Sequence, residues 1–566
     1  MNPKPHFSSI LSITAALFVL SLCVTSGADA QAWDNLILNQ DTTTELQNEE
    51  QVAINPTNPD NMVAVWRDFR LGYRQVGWAY TFDGGESWTE GGLIDEPNYP
   101  WQSDPGVTAD ADGNFYAIVL SYTSTSDPNG FYVFRSTDGG VSWGPPLEVI
   151  DGVPGVFEDK EFIACDRSGG AHDGNLYVVW TRFYSTQILL RRSLDSGQTW
   201  SSTIQVGDQG SVQFPIPVVG RGGEVYVAWT SYAQSSILFD VSTDGGATFG
   251  TDRTVVEVDL PSTVINGGID VYSSPHMDAD ISDGPYAGRI YTAFMDRRNG
   301  YGDFDIWVTW SDDDGLTWST PTRVNDDAVD NGRDQFHPWL VVDNLGIVSV
   351  VFLDRRQDPQ NRKYHCYLAQ STDGGASWGA NMQVSTEPSD PNFALRAHAA
   401  PLPAQPDRGL QPSVTGERAG LLGEYIGLTA WDGVPTPVWT DIRNLHQDVY
   451  AGYLQGGSSV PAAAAAWPGL QPRPSVLVAG EHCRLSLPGP ATGRAPELGI
   501  YDLNGRRVRR LPAGRDDRTP GQVEAGWGWV WDGRDADGRP VAAGVYLVRS
   551  SAAPERAGRI VVPARR

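Results

Sequence analysis

Ser371-Thr372-Asp373-Gly374-Gly375-Ala376-Ser377-Trp378 decides the fold, because the stretch recurs. The same spacing of Ser or Thr, Asp, Gly and a terminal Trp or Phe begins again at Thr81, Ser136, Ser193, Ser242 and Ser311. Those copies end at Trp88, Trp143, Trp200, Phe249 and Trp318. Asp-Gly and Gly-Gly supply the positive φ angles that a tight turn between antiparallel strands requires. The Ser hydroxyl and Asp carboxylate can satisfy the turn's backbone groups, and the terminal aromatic can anchor the loop against apolar surface. Each copy therefore predicts a hairpin, and six copies predict a repeat architecture.

The motif resembles the Asp-box, or BNR repeat, of sialidase-like β-propellers. The resemblance implies a ring of four-stranded blades with the boxes on the face opposite the ligand site. Each box sits late in a longer repeat: an apolar strand, a Gly/Asp/Asn turn, a second strand ending in Trp or Phe, a third strand into the box and a fourth out of it. Seven second strands can be read: Met62 to Trp66, Phe115 to Leu120, Leu176 to Trp180, Val225 to Trp229, Ile290 to Phe294, Ile347 to Phe352 and Pro437 to Trp439. The seventh repeat stops after its third strand. Asn35 to Asn39, upstream of the first repeat, resembles the strands that follow the boxes and is expected to complete the last blade. Closure of that kind leaves no exposed sheet edge. The expected fold class is thus all-β: a closed propeller of seven blades, with six as the alternative count, followed by a small β-sandwich.

Composition sets the remaining limits. The 566 residues suit a large repeat domain and a small one, and the net charge of −28 argues against nucleic acid as a partner. Residues 1–30 read as a signal peptide, with Lys4 and His6 before an apolar run from Ile10 to Val24 and a small-x-small site at Ala28-Asp29-Ala30. Export to the cell surface or beyond follows as an expectation. The propeller is assigned to 31–455 and a Gly/Ser/Ala/Pro-rich linker to 456–474. From Leu470 onward the chain carries 16 Arg, no Lys and 10 acidic residues, a charge reversal that marks a domain boundary. Within 475–566, Ile500 to Val508 reads as strand, Asn-Gly turn and strand, and Val530 to Val541 leads into the strand Gly544 to Val548. This tail resembles the FlgD-type Ig-like domain and, more loosely, bacterial C-terminal sorting domains, which implies contact with the cell envelope or the secretion machinery. No cofactor is expected. Asp532, Asp535 and Asp537 admit a structural calcium, but Asp/Gly turn chemistry accounts for them, because no bidentate Glu closes a coordinating loop.

Candidate chemistry is sought on the face opposite the boxes. Four blades repeat an aromatic residue, Asp two on and Arg four on: Trp66-Asp68-Arg70, Phe294-Asp296-Arg298, Phe352-Asp354-Arg356 and Trp439-Asp441-Arg443. These are either an arginine cluster for a substrate carboxylate or a salt-bridge ladder that repeats with the blades. Blades that break the pattern contribute Asp104, Asp159, Arg182, His276, His337 and the pair Glu424-Tyr425. The sialidase resemblance implies a tyrosine nucleophile with a glutamate, a separate acid/base aspartate and a glycan ligand. On that reading Tyr425 is the nucleophile candidate beside Glu424. Asp68, Asp104 or Asp159 is the acid/base, and Arg70, Arg298, Arg356 and Arg443, with Arg182, His276 and His337, bind substrate. Neighbours on a strand point to opposite sides, which counts against direct Glu424-Tyr425 partnership. The early Arg-Ile-Pro signature of sialidases is absent; Phe214-Pro215-Ile216-Pro217 is the nearest stretch and lacks the arginine. A non-catalytic propeller that binds glycan or protein at the cell envelope is the alternative.

Overall fold

A computed structural model describes residues 33–95, 98–123, 128–208, 210–259, 262–300, 302–391 and 422–455, and the strands of the tail between 471 and 562. The proposed signal peptide and the linker up to residue 470 lie outside the described residues, as do Asp532 and Asp537.

Among the described residues between 33 and 455 lie seven four-stranded antiparallel sheets, which settles the blade count at seven. Blade one is Gln47–Ile54, Met62–Asp68, Gln75–Thr81 and Thr89–Leu93, in that order from one edge of the sheet to the other. The first strands of blades two to six are Trp101–Ala109, Glu158–Cys165, Val212–Val219, His276–Ala279 and Gln335–Val342. Blade seven consists of Gly427–Trp431, Val434–Asp441 and Asp448–Leu454, with Trp33–Ile37 added antiparallel to Asp448–Leu454 as its fourth strand. Trp33–Ile37 therefore closes the ring. Every residue of the second strands Met62–Asp68, Phe115–Tyr122 and Val225–Ser231 is buried. A strand covered on both faces by neighbouring blades reads as a continuous apolar run rather than an alternation.

The boxes are hairpins between third and fourth strands, as their residues predict. In the copy quoted first, Ser371 Oγ donates to Asp373 Oδ1 (2.9 Å), and Asp373 accepts from Ser377 N (2.9 Å) and Ser377 Oγ (2.6 Å). Gly375 N donates to Ser371 Oγ (2.9 Å). The same Ser/Thr-to-Asp bond of 2.7–2.8 Å closes the other five. The boxes also staple the preceding blade. Trp78 Nε1 donates to Gly140 O (2.9 Å) and Arg289 Nη1 to Gly374 O (2.7 Å). Gly315 explains why the second box glycine is needed: its φ is +75°, and a Cβ there would lie 2.2 Å from the Phe239 ring of blade four.

The tail holds two further four-stranded antiparallel sheets. One is Gln471–Arg473, Cys483–Leu487, Trp527–Trp531 and Gly514–Arg515. The other is Arg507–Leu511, Leu498–Asp502, Gly544–Ser550 and Ala553–Val562. Asp535 makes ordinary turn bonds, its carboxylate accepting from Arg539 N at 2.8 Å.

Candidate functional site

The first strands carry the feature that builds the site. In blades one, two, three, four and six the pairing with the second strand skips at the same ladder position, so that two residues oppose one. The first residue of each bulge is Glu49, Asp104, Lys160, Phe214 or His337, and each has a φ between 48° and 59°. Five non-glycine residues in the left-handed region at one ladder position are a repeated strain, of the kind that persists where surrounding structure enforces it. Counting back from the first regular pairs, His276 with Ala293 and Gly427 with Val438, places Ser274 and Tyr425 at the same position in blades five and seven. One residue per blade thus forms a ring: Glu49, Asp104, Lys160, Phe214, Ser274, His337 and Tyr425. The bulge bends each strand and re-aims its side chain.

Lys160 links three blades. Its ammonium contacts the Asp104 carboxylate of blade two and Glu424 Oε2 of blade seven (2.5 Å). Ser103 Oγ also donates to Asp104 Oδ1 (2.5 Å). Arg67, from the second strand of blade one, reaches Glu49 Oε1 (3.1 Å), Asn48 Oδ1 (2.9 Å) and Ser103 Oγ (3.4 Å). Lys160, Asp104, Glu424, Arg67 and Glu49 are all buried. Their electrostatics diverge. Burial works against ionisation of Asp104, but Lys160 and Arg67 outweigh it and hold the carboxyl at about 2. Burial raises Glu49 to about 8 against the pull of Arg67, and raises Asp159 to about 7 against Lys160. Burial likewise lifts Glu50 to about 8 despite the bond it accepts from Thr440 Oγ1 (3.0 Å). Glu161 is pushed well up by burial, and its carboxyl has no hydrogen-bond partner among the described residues.

The blade-seven member of the ring packs among aromatic side chains. Tyr425 packs on Phe162 (5.3 Å between centroids) and on Trp339 (6.3 Å), and His276 lies 4.7 Å from Trp339. The Tyr425 hydroxyl donates to Pro105 O (3.3 Å), and burial pushes it well above its usual range. Burial and the neighbouring His337 lower His276 to about 3; burial lowers His337 to about 4. Both imidazoles are neutral at ordinary pH.

A hairpin of two short strands, Ser262–Ile265 and Ile269–Tyr272, is inserted between blades four and five and belongs to neither sheet. Tyr272 lies 4.6 Å from Phe214, and burial together with the negative charge of Glu424 raises its hydroxyl above the usual tyrosine value. His337 Nε2 is 3.4 Å from Asp270 O. At the tip, Arg355 Nη2 donates to Asn266 O (2.6 Å) and Asn266 Nδ2 to Gln360 O (2.9 Å). The hairpin therefore reaches from blade four across to blades six and seven, over the ring.

The sequence candidates divide into two groups. Asp104, Asp159, Glu424, Tyr425, His276 and His337 are gathered at the centre. Glu424 and Tyr425 diverge as their adjacency predicts, Glu424 towards Lys160 and Tyr425 onto Phe162 and Trp339. Asp68 and the arginines are paired within their own blades, and Arg298, Arg356 and Arg443 also reach Glu257 O, Asp326 and Thr386 Oγ1 beyond them. Arg70 pairs with Asp68 (2.6 Å), Arg298 with Asp296 (2.5 Å), Arg356 with Asp354 (2.7 Å) and Arg443 with Asp441 (2.7 Å). Trp66 Nε1 donates to Asp68 (2.8 Å) and Trp439 Nε1 to Asp441 (2.9 Å). Arg356 and Arg443 each lie 4.5 Å over a third-strand tyrosine ring, Tyr367 and Tyr450. Blade three reaches the same end differently: Glu158 takes both the Trp180 indole (2.7 Å) and Arg182 (Nε, 2.8 Å). In each of these blades the arginine is therefore already engaged by a carboxylate of its own strand pair. Sequence reading passed over Arg67, Glu49, Lys160 and Tyr272 as site residues. A signal was present: Pro105, Pro215, Pro275 and Pro338 follow the ring position in four blades. Among the described residues no group of three or more His, Cys, Asp or Glu side chains is arranged to hold a metal.

No family description and no curated protein matches the chain. Solved structures with a similar chain path include a Dyadobacter fermentans protein of unknown function, at 16% identity over 60% of this chain and 97% of that one, TM-score 0.40. Another is a leech intramolecular trans-sialidase, at 12% identity over 57% and 67%, TM-score 0.42. A third is an α-L-arabinofuranosidase of Fusarium graminearum in complex with arabinobiose, at 12% identity over 56% and 92%, TM-score 0.41.

Proposed function

We propose that this is an exported, sialidase-like glycosidase whose working site is the charged ring at the centre of the propeller. The observation that carries the reading is the coexistence, in one cluster, of a carboxyl held ionised and carboxyls held protonated. Asp104 stays at about 2 beside Lys160, whereas Asp159 and Glu49 sit at about 7 and 8. Hydrolysis of a glycosidic bond needs both: a proton donor for the leaving oxygen, and an anion to stabilise or attack the sugar. Asp159 is the acid/base candidate, and Asp104 and Glu424 are the anionic candidates. Tyr425 serves as nucleophile only after giving up its bond to the Pro105 carbonyl and its proton. An acidic glycan would meet Arg67 and Lys160, since the blade arginines are already paired. The tail is assigned to the cell envelope.

Burial of Asp104, Lys160, Glu424, Arg67 and Glu49 favours a second reading, a binding propeller without turnover. Fluorogenic sialoside and arabinofuranoside, offered to the full chain and to Asp159→Asn and Tyr425→Phe, separate the two. Turnover lost in Asp159→Asn supports the acid/base role, and loss in Tyr425→Phe supports the nucleophile. Turnover in both variants equal to the parent sinks those assignments. No turnover by folded protein leaves the binding reading.

A further inference from the structure

We propose that the charged ring is reached from the side of blades three and four, through a cleft whose walls, Tyr232 and Tyr272, bind one sugar unit of the glycan beside Asp159. The proposal rests on the central-site reading and deepens it, by naming a saccharide subsite and the residues that set its preference.

Exposure around the ring carries it. In five blades the residue just before the ring position is buried: Asn48, Ser103, Ser273, Phe336 and Glu424. In blades three and four it is Asp159 and Gln213, and both are partly exposed. These two blades are neighbours, so among the described residues the charged centre meets solvent at one place rather than all round. Two tyrosines flank that place, each partly exposed. Tyr232, just past the second strand of blade four, donates from its hydroxyl to Gln213 Oε1 (2.9 Å). Tyr272, at the foot of the inserted hairpin, lies 4.6 Å from Phe214, the ring residue of blade four. Lys160 Nζ is 6.0 Å from the same Phe214 ring, which ties the cleft to the charged centre. Burial raises both tyrosine hydroxyls above their usual value, and the Glu424 carboxylate adds to it, so each stays a hydrogen-bond donor.

The chemistry of the cleft fits a sugar. A sugar ring presents C–H groups on its faces and hydroxyls at its rim. A phenol answers with an apolar body and a polar tip, and a carboxamide with both donor and acceptor. Gln213 Oε1 is engaged by Tyr232, whereas its Nε2 has no partner among the described residues. A purely apolar ligand would cover Gln213 and Asp159 without satisfying them, which is costly. The walls are also fixed. Ile265, Ile269 and Val271 anchor the hairpin in the main core, and Tyr232 N donates to Ser211 O (2.9 Å). Walls already in place lose little freedom when a ligand arrives. A sugar between them would lie against Asp159, the acid/base candidate, with the buried Lys160 and Glu424 behind it.

The test reads binding apart from turnover, on the full chain, by calorimetric titration and saturation-transfer NMR with 3′-sialyllactose and arabinobiose. Gln213→Trp puts a bulky ring at a partly exposed position and fills the cleft without entering the core. Tyr232→Ala removes one wall. Each should weaken binding of the preferred saccharide at least ~10-fold while the melting temperature holds. Tyr272→Phe keeps the ring and deletes the hydroxyl, so it should weaken binding less than Tyr232→Ala. Asp159→Asn should bind much as the parent does and lose turnover. If the parent shows no turnover but its binding is still lost in Gln213→Trp, the glycosidase reading falls and the cleft stands. Binding unaltered in both Gln213→Trp and Tyr232→Ala overturns the cleft, and so does a folded parent that binds neither saccharide.

Discussion

The rim of boxes and the ring of bulges are built by the same seven-fold scaffold, yet they treat repetition in opposite ways. At the rim each copy repeats one chemistry, a hydroxyl closing on an aspartate, with glycines that let the next blade approach. At the ring each copy supplies a different residue: Glu, Asp, Lys, Phe, Ser, His and Tyr. A feature that must hold every blade is uniform. A feature that must present one asymmetric surface to a ligand is not. The aspartate–arginine pairs follow the rim's rule, repeating one chemistry from blade to blade.

The largest way to break the contrast is to delete its central cation. Lys160→Met strands the Asp104 and Glu424 carboxylates in a buried site, and loss of one partner from a buried ionic group costs ~3–5 kcal/mol. Urea denaturation should show it, and a loss below ~1 kcal/mol would make the ring no more critical than the surface.

The two regions should also respond oppositely to pH. At the rim, bonds from Thr199, Ser242 and Thr317 lower the carboxyls of Asp195, Asp244 and Asp313 below the usual aspartate value. Their stabilisation is present above the unfolded value and is lost as pH falls through the folded one. At the ring, burial raises Glu49 and Glu50 from 4.5 to about 8. Their contribution is fully present below 4.5 and is lost as pH rises towards 8, on the order of a few kcal/mol per group. The double variant Glu49→Gln, Glu50→Gln should flatten the decline in melting temperature between pH 5 and 8 while leaving the acid limb intact. An unchanged decline would mean that other groups set it.

Asp373→Ala removes the acceptor at the heart of one box and should cost ~1–2 kcal/mol without changing ligand binding. Smallest of all, Arg298→Ala removes a partly exposed pair and should cost at most ~1 kcal/mol, again with binding intact. A loss of glycan affinity in Arg298→Ala would restore the arginine-clamp reading.

How much of this was legible follows the same division. The boxes declare themselves because turn chemistry restricts each position to a few residue types. Asn35 to Asn39 was recognisable as the missing strand because a ring with seven second strands and six boxes needs one more. The ladder was visible as a repeat, and its repetition already favoured structure over catalysis. The ring was harder to see, because a bulge is a backbone event that leaves no fixed side chain behind; only the prolines after it hint at the position. Asp104, Asp159, Glu424, Tyr425, His276 and His337 were found as departures from the repeat. Glu49 and Arg67 were missed because they stand in a blade that also obeys it. The inserted hairpin was missed because a short hairpin with an Asn-Gly-Gly tip reads like any other turn until its contacts with other blades are known.

The seam of the ring carries one more consequence. Trp33–Ile37 pairs with Asp448–Leu454, so the last blade joins segments more than four hundred residues apart. Six blades can form in order as the chain emerges, but the seventh waits for its final strand. Contacts of such long range are slow to form and leave intermediates with open edges. The emerging propeller is in effect an unfastened bracelet, whose first strand must stay free of other edges until the clasp arrives. Its vulnerability to misassembly is concentrated in time, between completion of blade six and the docking of that strand.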